Sequence, residues 1–461
     1  MSTPYQSTWA SLDSRPMPAW FNEAKFGIFI HWGVYSVPAW RPLSDTLYAS
    51  YAEWYYATVI GDMEFGGDAF HKAQFGEDFE YRDFAPMFKA ELFDPDYWAD
   101  LFHRAGAKYV VLTSKHHDGF CLWPTQSPYK KNWNSLDIGP RRDLVGDLTS
   151  AVRNKGLRMG LYYSITEWES IPSPTRSETG YLVNTNMVEK YGIPEDKYVH
   201  EHLPLQLKEL VMNYQPSLIF SDGGEWDWDE HYWHTQNLLA WLYNEAPNKD
   251  EVVVNDRWCH GMTGRHGDYF SSEYQDTDAV TITYPWEESR GIGGSYGLNR
   301  AENIDDYRTS QELVHELIDV VSRGGNMLLN VGPTADGRIP PLQQQRLVDI
   351  GDWLRVNGEA IYDSTVWKHA EVNKQDKLRF TTVGNNLYVL CLQWPTQEIV
   401  LSGISVGNHL SVSMLGVKQP VPSNVQDGKL IISAPVISPA EAPCPHAYVF
   451  KVEGAGMVGS V

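Results

Sequence analysis

Residues 218–224 read Leu218-Ile219-Phe220-Ser221-Asp222-Gly223-Gly224, a short apolar run that ends on a carboxylate and two glycines. Between residues 25 and 362 the chain holds further short apolar runs, at residues 26–30, 109–112, 159–163, 252–254 and 327–329. Stretches with one apolar helical face lie between these runs, as at residues 203–211 and 313–321. Short strands that alternate with helices predict an α/β protein with a parallel sheet or barrel.

Polar side chains follow several of these runs at the point where each predicted strand ends. His31 directly follows residues 26–30, and His116 and His117 come a few residues after residues 109–112. Asp222 ends its own run, and Arg257 stands just beyond residues 252–254. In a (β/α)8 barrel the carboxyl ends of the strands meet at one mouth, which holds the active site. The sequence therefore predicts a (β/α)8-like, TIM-type catalytic barrel with a single pocket.

The pattern changes after about residue 364. Alternating, β-like runs appear at residues 377–381, 387–391, 398–401, 410–414, 429–433 and 447–451, without a convincing helix between them. Turn signals such as Gly384-Asn385-Asn386 separate the runs, as in an antiparallel sandwich. We therefore expect two domains, a barrel at residues 1–362 and a C-terminal antiparallel β-sandwich at residues 363–461.

The composition limits the classes of partner. The chain of 461 residues carries 37 Lys and Arg against 59 Asp and Glu, a net charge of -22. A surface this acidic repels phosphate backbones and argues against nucleic acid. The 18 Trp and 26 Tyr suit stacking on the apolar faces of sugars, but an aromatic-rich core explains them equally well.

Cysteine spacing and hydropathy argue against metal-binding, redox and membrane-spanning proteins. Cys121, Cys259, Cys391 and Cys444 stand far apart, which favours packed thiols over a zinc or redox motif. No stretch approaches the roughly 20 apolar residues of a membrane span, and residues 1–18 lack the pattern of a signal peptide. We expect no metal, cofactor or membrane partner. The predicted compartment is the cytoplasm, or a secreted or periplasmic location if a leader has been removed.

Glycoside hydrolysis needs two carboxyls, and Asp222 is a candidate for the first. On this motif alone, Asp222 could equally cap the following helix. Arg257 suits a neighbouring carboxylate or a sugar hydroxyl, and an ion pair inside the barrel is the alternative. Glu53 and Trp54 combine a carboxylate with an aromatic ring, as a sugar site requires, but they also fit an ordinary amphipathic helix.

Taken together, these segments resemble the α-L-fucosidases of glycoside hydrolase family 29. The matching phrases run in order through the predicted barrel, at residues 20–33, 53–55, 108–120, 143–146, 160–164, 222–223 and 322–333. The phrase from Lys108 to Phe120, with its lysine and paired histidines, is the most specific of them.

The resemblance implies a retaining double displacement, with an aspartate as nucleophile and a glutamate as acid/base. Asp222 matches the nucleophile. Glu273 is the best match for the acid/base, and we expect it to lie in apolar surroundings that help it hold a proton. The matching loop is variable in the family, so Glu225, Glu287 and Glu288 remain rivals.

The resemblance also implies a set of substrate-binding residues: His31, Glu53, Trp54, His116, His117, Tyr163, Phe220, Arg257 and Trp286. Phe220, where many relatives have tryptophan, would contribute to the surface for the C6 methyl group of fucose. The expected partner is a fucosylated oligosaccharide or glycoconjugate, and a homo-oligomer is compatible with the sequence. The alternatives are a retaining glycosidase for a related sugar such as a galactoside, or a non-catalytic fucose-binding protein.

Overall fold

The computed structural model describes residues 3–44, 49–60, 67–171, 185–274, 284–373, 375–404 and 410–454. Its first sheet is built from β1 (Phe26–Ile30), β2 (Tyr109–Lys115), β3 (Arg158–Ser164), β4 (Leu218–Asp222), β5 (Val253–Val254), β6 (Phe270–Glu273), β7 (Trp286–Gly291) and β8 (Asn326–Val331). The strands are parallel and lie in the order β5-β4-β3-β2-β1-β8-β7-β6. This confirms the predicted barrel-like α/β fold.

The curled sheet lacks a ladder between β5 and β6, and a few hydrogen bonds span the gap. The Asp268 backbone N–H donates to the Val254 carbonyl at 2.9 Å, and the Val254 N–H donates to Asp268 Oδ2 at 2.9 Å. Further along, the Ser271 N–H donates to Asp256 Oδ1 at 3.1 Å. These bonds hold the carboxyl end of β6, which carries Glu273, beside the residues that follow β5.

Helices occupy the connections between the strands. In the described ranges they are Trp9–Leu12, Trp20–Ala24, Tyr55–Ile60, Gly67–Phe75, Pro95–Arg104, Leu144–Asn154, Thr185–Tyr191, Glu195–Lys197, Leu203–Tyr214, Glu230–Trp233, Thr235–Asn244, Ser310–Ser322 and Pro341–Asn357. Side-chain caps start several of them: Asp94, Asp143 and Thr309 each accept a backbone N–H of the first turn. None of these helices has the length and apolar character needed to cross a membrane.

The strand register decides which side chains point into the barrel. Tyr162 pairs with Phe220, and Ser164 pairs with Asp222, across β3 and β4. Tyr162 and Phe220 belong to the apolar cluster inside the barrel, whereas Tyr163 packs in the cluster that includes the helices. Because successive residues of a strand face opposite sides, Asp222 continues the inward row of Phe220 to the mouth.

The C-terminal strands form two antiparallel sheets. They are β9 (Thr365–Val366), β10 (Leu378–Val383), β11 (Asn386–Cys391), β12 (Ile399–Leu401), β13 (Ser411–Met414), β14 (Ser423–Gln426), β15 (Lys429–Ile432) and β16 (Tyr448–Glu453). The orders are β13-β16-β11-β10-β9 and β12-β15-β14, and one apolar core is shared between the sheets. The predicted β-sandwich is confirmed. The division of the chain at residues 362 and 363 stays a prediction.

The other face of the five-stranded sheet lies against the barrel. Trp353, on the last barrel helix, donates its indole N–H to the Ala447 carbonyl at 2.9 Å. Arg379 on β10 donates to Asp319 Oδ1 at 2.6 Å. These contacts lie on the helix layer of the barrel, away from the mouth.

Candidate active site

Asp222 lies at the carboxyl end of β4, and three side chains approach its carboxylate. Tyr162 donates its hydroxyl to Oδ2 at 2.7 Å, and Nε2 of His117 lies 3.3 Å from the same oxygen. Arg257 donates from Nη1 to Oδ1 at 3.3 Å. Burial alone would raise the pKa of Asp222, but His117, Arg257 and Tyr162 outweigh it and hold that pKa far below its ordinary value. Asp222 is therefore an ionised carboxylate at neutral pH.

A glycine is required directly after this carboxylate. Gly223 has φ +77°, and a Cβ there would lie 2.3 Å from Thr166 Oγ1. Gly224 is also closely approached, since a Cβ would lie 2.3 Å from the Trp258 carbonyl oxygen. These two glycines therefore leave room for the neighbouring loops that contain Thr166 and Trp258.

Arg257 connects Asp222 to a second carboxylate, Glu273, at the end of β6. The Nη1 atom of Arg257 lies 3.0 Å from Glu273 Oε2 and 3.3 Å from Asp222 Oδ1. Its Nε donates to Ser271 Oγ at 2.9 Å, and Tyr51 donates its hydroxyl to Glu273 Oε1 at 2.9 Å. The prediction that Glu273 lies in apolar surroundings is therefore wrong, because both of its carboxylate oxygens accept hydrogen bonds.

Three histidines from β1 and β2 line the pocket beside Asp222. Nδ1 of His31 lies 2.7 Å from Asn330 Oδ1, so this nitrogen carries the proton and Nε2 is left as an acceptor. Burial lowers the pKa of His31 to about 3 and lowers that of His116 well below its ordinary value. Nδ1 of His117 lies 2.5 Å from Ser164 Oγ, which fixes the ring toward Asp222.

Glu53 and Trp54 reach the pocket from a short turn at Ala52–Trp54. Oε2 of Glu53 accepts the Gly297 N–H at 2.7 Å and the Ser295 hydroxyl at 3.2 Å. Burial is the main reason that the pKa of Glu53 rises to about 7. The Trp54 ring lies 5.9 Å from that of His117, in an edge-on arrangement.

Phe220 provides an apolar surface below Asp222. Its ring lies 5.1 Å from that of Phe29 and is stacked 5.9 Å from that of Tyr162. The Arg257 guanidinium lies 5.6 Å from the same ring. Phe220 is only 2% exposed, so a polar group that packed there would lose its contacts with water.

Two predicted substrate-binding residues lie outside the pocket. Tyr163 faces the helix layer, where its hydroxyl donates to Gln206 Oε1 at 3.0 Å. Its neighbour Tyr162 contacts Asp222 instead. Trp286 is the first residue of β7, at the opposite end of the barrel, and its ring packs against Gly325. The placement of both residues in the sugar site is therefore wrong.

The rival glutamates differ in position. Glu287 accepts a hydrogen bond from Tyr109 near the amino end of β7, and Glu288 accepts one from Ser272. Glu287 therefore lies toward the closed end of the barrel, whereas Glu288, on the opposite face of β7, faces the helix layer near Arg290 and Glu316. Glu225, three residues after Asp222, is close enough for its charge to interact with Asp222 and Arg257.

Sequence reasoning missed several residues that complete the pocket. Tyr51 and Trp226 lie on loops with no periodic pattern, although Trp226 lies 4.8 Å from the His117 ring. Tyr162 could have been found from the strand pairing. It pairs with Phe220 in the parallel register of β3 and β4, so it belongs to the same inward-facing row as Phe220 and Asp222. In the described part of the chain, no group of three or more His, Cys, Asp or Glu side chains is arranged to hold a metal ion.

A barrel mouth in which one arginine contacts two carboxylates, with histidines and aromatic rings around them, is the site of a glycoside hydrolase. Family models agree with this class. The alpha-L-fucosidase model matches residues 1–359, and the model of the alpha-L-fucosidase C-terminal domain matches residues 372–453. The chain belongs to the alpha-L-fucosidase family, glycoside hydrolase family 29.

Individual relatives span nearly the whole chain. Human tissue alpha-L-fucosidase is 41% identical over 453 residues, which cover 98% of this chain and 92% of the relative. An alpha-L-fucosidase of Branchiostoma floridae is 40% identical over 456 residues, with 98% and 96% covered. Among solved structures, Thermotoga maritima alpha-fucosidase with a mechanism-based inhibitor has a TM-score of 0.81 and 38% identity, and 97% and 99% of the two chains are covered.

Proposed function

We propose that this chain is a retaining, exo-acting α-L-fucosidase that removes terminal α-L-fucosyl residues from fucosylated oligosaccharides or glycoconjugates. The observation that carries the mechanism is the bridge of Arg257 between Asp222 and Glu273. Both oxygens contact the same nitrogen, so they are no further apart than the sum of the two contact distances. A link through a single nitrogen supports the separation of about 5–5.5 Å between the carboxyl groups of a retaining enzyme, rather than the about 6.5–9.5 Å that an inverting enzyme needs for a water molecule.

In the first step, a carboxylate oxygen of Asp222 forms a bond to the anomeric carbon as the glycosidic carbon–oxygen bond breaks. Glu273 transfers its proton to the leaving oxygen. In the second step, Glu273 takes a proton from water, and the water oxygen displaces Asp222 to release α-L-fucose. A sugar hydroxyl in place of water would give transfucosylation.

The surroundings of the two carboxyls support these roles. His117, Arg257 and Tyr162 keep Asp222 ionised, as a nucleophile requires. His31, His116, Glu53 and Trp54 offer hydrogen-bonding groups and an aromatic face to the sugar. The buried ring of Phe220 favours a methyl group over the hydroxymethyl group of a galactoside, because a hydroxyl buried there without a partner costs about 1–3 kcal/mol.

Azide rescue tests the two assignments separately. We expect Asp222→Gly to lower kcat/KM for an aryl α-L-fucoside by more than about a thousandfold, and azide to give the β-fucosyl azide by a single inversion. Glu273→Gly should lose about 10²–10⁴-fold for poor leaving groups and give the α-fucosyl azide by a second inversion. Glu287→Gln, whose carboxyl lies at the closed end of the barrel, is the control and should give no azide product.

The alternatives predict different results. A galactoside-preferring enzyme would cleave aryl galactosides faster than aryl α-L-fucosides. A non-catalytic binding protein would bind L-fucose without turnover. An Asp222→Gly protein with wild-type activity would reject the proposed nucleophile. The compartment and the homo-oligomer stay predictions from the sequence.

A further inference from the structure

The segment that follows β5 carries Arg257, and polar side chains fix this segment to both neighbouring strands. The ladder between β4 and β5 ends at Val254. Beyond it, Asn255 pairs through its side chain with the backbone of β4, because Oδ1 accepts the Ser221 N–H at 2.9 Å and Nδ2 donates to the Ser221 carbonyl at 2.8 Å. The chain is therefore held beside β4 up to the residues of the pocket.

Asp256, the next residue, fixes the same segment to β6. Its Oδ1 accepts the Ser271 N–H at 3.1 Å and the Ser271 hydroxyl at 2.7 Å, and its Oδ2 accepts the Gly264 N–H at 2.8 Å. Three donors on its two oxygens hold this carboxylate in one position. Asp256 is fully buried, so it influences the geometry of the pocket only through the groups that it holds.

The hydroxyl of Ser271 connects Asp256 with Arg257. A serine hydroxyl has one hydrogen to donate, and its oxygen also accepts. Because a carboxylate only accepts, the hydrogen of Ser271 points to Asp256 Oδ1. The Ser271 oxygen therefore accepts the Nε–H of Arg257, at 2.9 Å. The guanidinium is planar and rigid, so a bond that fixes Nε also fixes the direction of Nη1.

Nη1 of Arg257 is the atom that contacts both proposed catalytic carboxyls, at 3.3 Å from Asp222 Oδ1 and 3.0 Å from Glu273 Oε2. Ser271 and Glu273 lie two residues apart on β6, so their side chains share the inward face of the strand. Through Ser271, Asp256 thus holds both the strand that carries Glu273 and the arginine that contacts it.

We propose that Asp256 and Ser271 are positioning residues that hold Arg257 where it contacts both proposed catalytic carboxyls. This inference rests on the proposed function, because it requires those carboxyls to perform the reaction. The chain of hydrogen bonds fixes the place of the nucleophile relative to the acid/base. Its loss should therefore slow the chemical step more than it weakens the binding of the sugar.

Two variants remove different parts of this chain of hydrogen bonds. Ser271→Ala removes the acceptor for Arg257 Nε, and we expect kcat for an aryl α-L-fucoside to fall about 10–100-fold, the effect of losing a hydrogen bond to a charged group. KM should change less than about threefold. Asp256→Asn has one oxygen for three donors, so we expect kcat to fall about 3–10-fold.

A double-mutant cycle with Arg257→Gln separates positioning from general destabilisation. If Ser271 acts through Arg257, Ser271→Ala should lower kcat by less than about twofold once the guanidinium is absent. A role of Ser271 that is only structural would give independent losses, which multiply in the double variant.

Asp268→Asn is the matched control, because Asp268 also bridges β5 and β6. Its Oδ2 accepts the Val254 N–H at 2.9 Å, and Oδ1 lies 3.1 Å from Arg15 Nη1. Asp268 precedes β6, whereas Glu273 ends that strand. We expect Asp268→Asn to be less stable in urea unfolding but to keep kcat within about threefold of the wild type.

Several outcomes would overturn the proposal: a wild-type kcat in Ser271→Ala, a loss that multiplies with that of Arg257→Gln, or an equal loss in Asp256→Asn and Asp268→Asn. If Ser271→Ala does not fold, as judged by circular dichroism and Tm, the comparison of the two asparagine variants still decides. A wild type that cleaves no aryl α-L-fucoside rejects the proposed function. An active wild type with an equally active Ser271→Ala rejects only the positioning role.

Discussion

Replacing Arg257 by glutamine should shift the acidic limb of the activity profile to higher pH. Arg257 lies 3.3 Å from Asp222 and 3.0 Å from Glu273, and it opposes the protonation of Asp222. Without it, Asp222 would keep its contacts with His117 and Tyr162 but lose a positive charge 3.3 Å away. The pKa of Asp222 should then rise, since burial favours the protonated form.

The size of the shift follows from the geometry. Two unit charges 3.3 Å apart interact by about 5 kcal/mol at an effective dielectric constant of about 20, and by about 1.3 kcal/mol in bulk water. One pKa unit corresponds to about 1.4 kcal/mol. The side chains of Asp222 and Arg257 are each 14% exposed, so the environment lies between these limits. We therefore expect the pKa of Asp222 to rise by about one to three units.

The assay is kcat/KM against pH, which reports groups of the free enzyme. Because Asp222 must be ionised to attack, a higher pKa means that activity falls earlier as the pH decreases. An activated aryl α-L-fucoside reduces the contribution of Glu273. Arg257→Lys, which keeps the charge without the forked geometry, should shift the limb less. An acidic limb of Arg257→Gln that stays within about 0.3 pH units of the wild type would refute this electrostatic role.

Two further predictions use matched variants. Tyr162→Phe should lower kcat/KM about 10–100-fold, because the Tyr162 hydroxyl donates to the Asp222 carboxylate. Tyr163→Phe should keep kcat/KM within about threefold of the wild type and lose only about 1 kcal/mol of stability in urea unfolding. Equal activities of the two variants would contradict the pairing of β3 with β4. The pKa of Glu53 is raised to about 7, which means that folding favours the protonated side chain. The stability that the protonated Glu53 contributes is therefore complete below the unfolded-state pKa of about 4.3, and it is lost as the pH rises through about 7. The Tm of the wild type should therefore fall relative to Glu53→Gln between pH 5 and pH 8, and parallel Tm profiles would contradict this.

Much of the fold was predictable because apolar periodicity reports burial directly. The runs at residues 26–30, 109–112 and 327–329 became central strands of the barrel sheet, and the helix predicted from residues 203–211 runs from Leu203 to Tyr214. Strands β6 and β7 were not predicted from the sequence, because their inward-facing side chains are polar. Glu273 and Ser271 face the pocket on β6, so the strand that carries the proposed acid/base has no apolar pattern.

The two errors in the site have separate physical causes. Tyr162 and Tyr163 are the same residue type in adjacent positions, and only the pairing of β3 with β4 shows which one faces Asp222. Trp286 was included only because of the family resemblance, and it begins its strand rather than ends it. Composition and spacing contain no information about which end of a strand reaches the mouth until the strand's limits are known.

The sequence by itself determined the class of fold, the place of Asp222 at a strand end, and the family to which the phrases from residue 20 to residue 333 belong. These depend on local patterns, which a single chain displays in full. Only the tertiary structure decided that Arg257 joins Asp222 to Glu273, and that Tyr162 rather than Tyr163 supports the carboxylate. Such facts depend on distances between segments far apart in sequence, and electrostatic and hydrogen-bond energies are set by those distances.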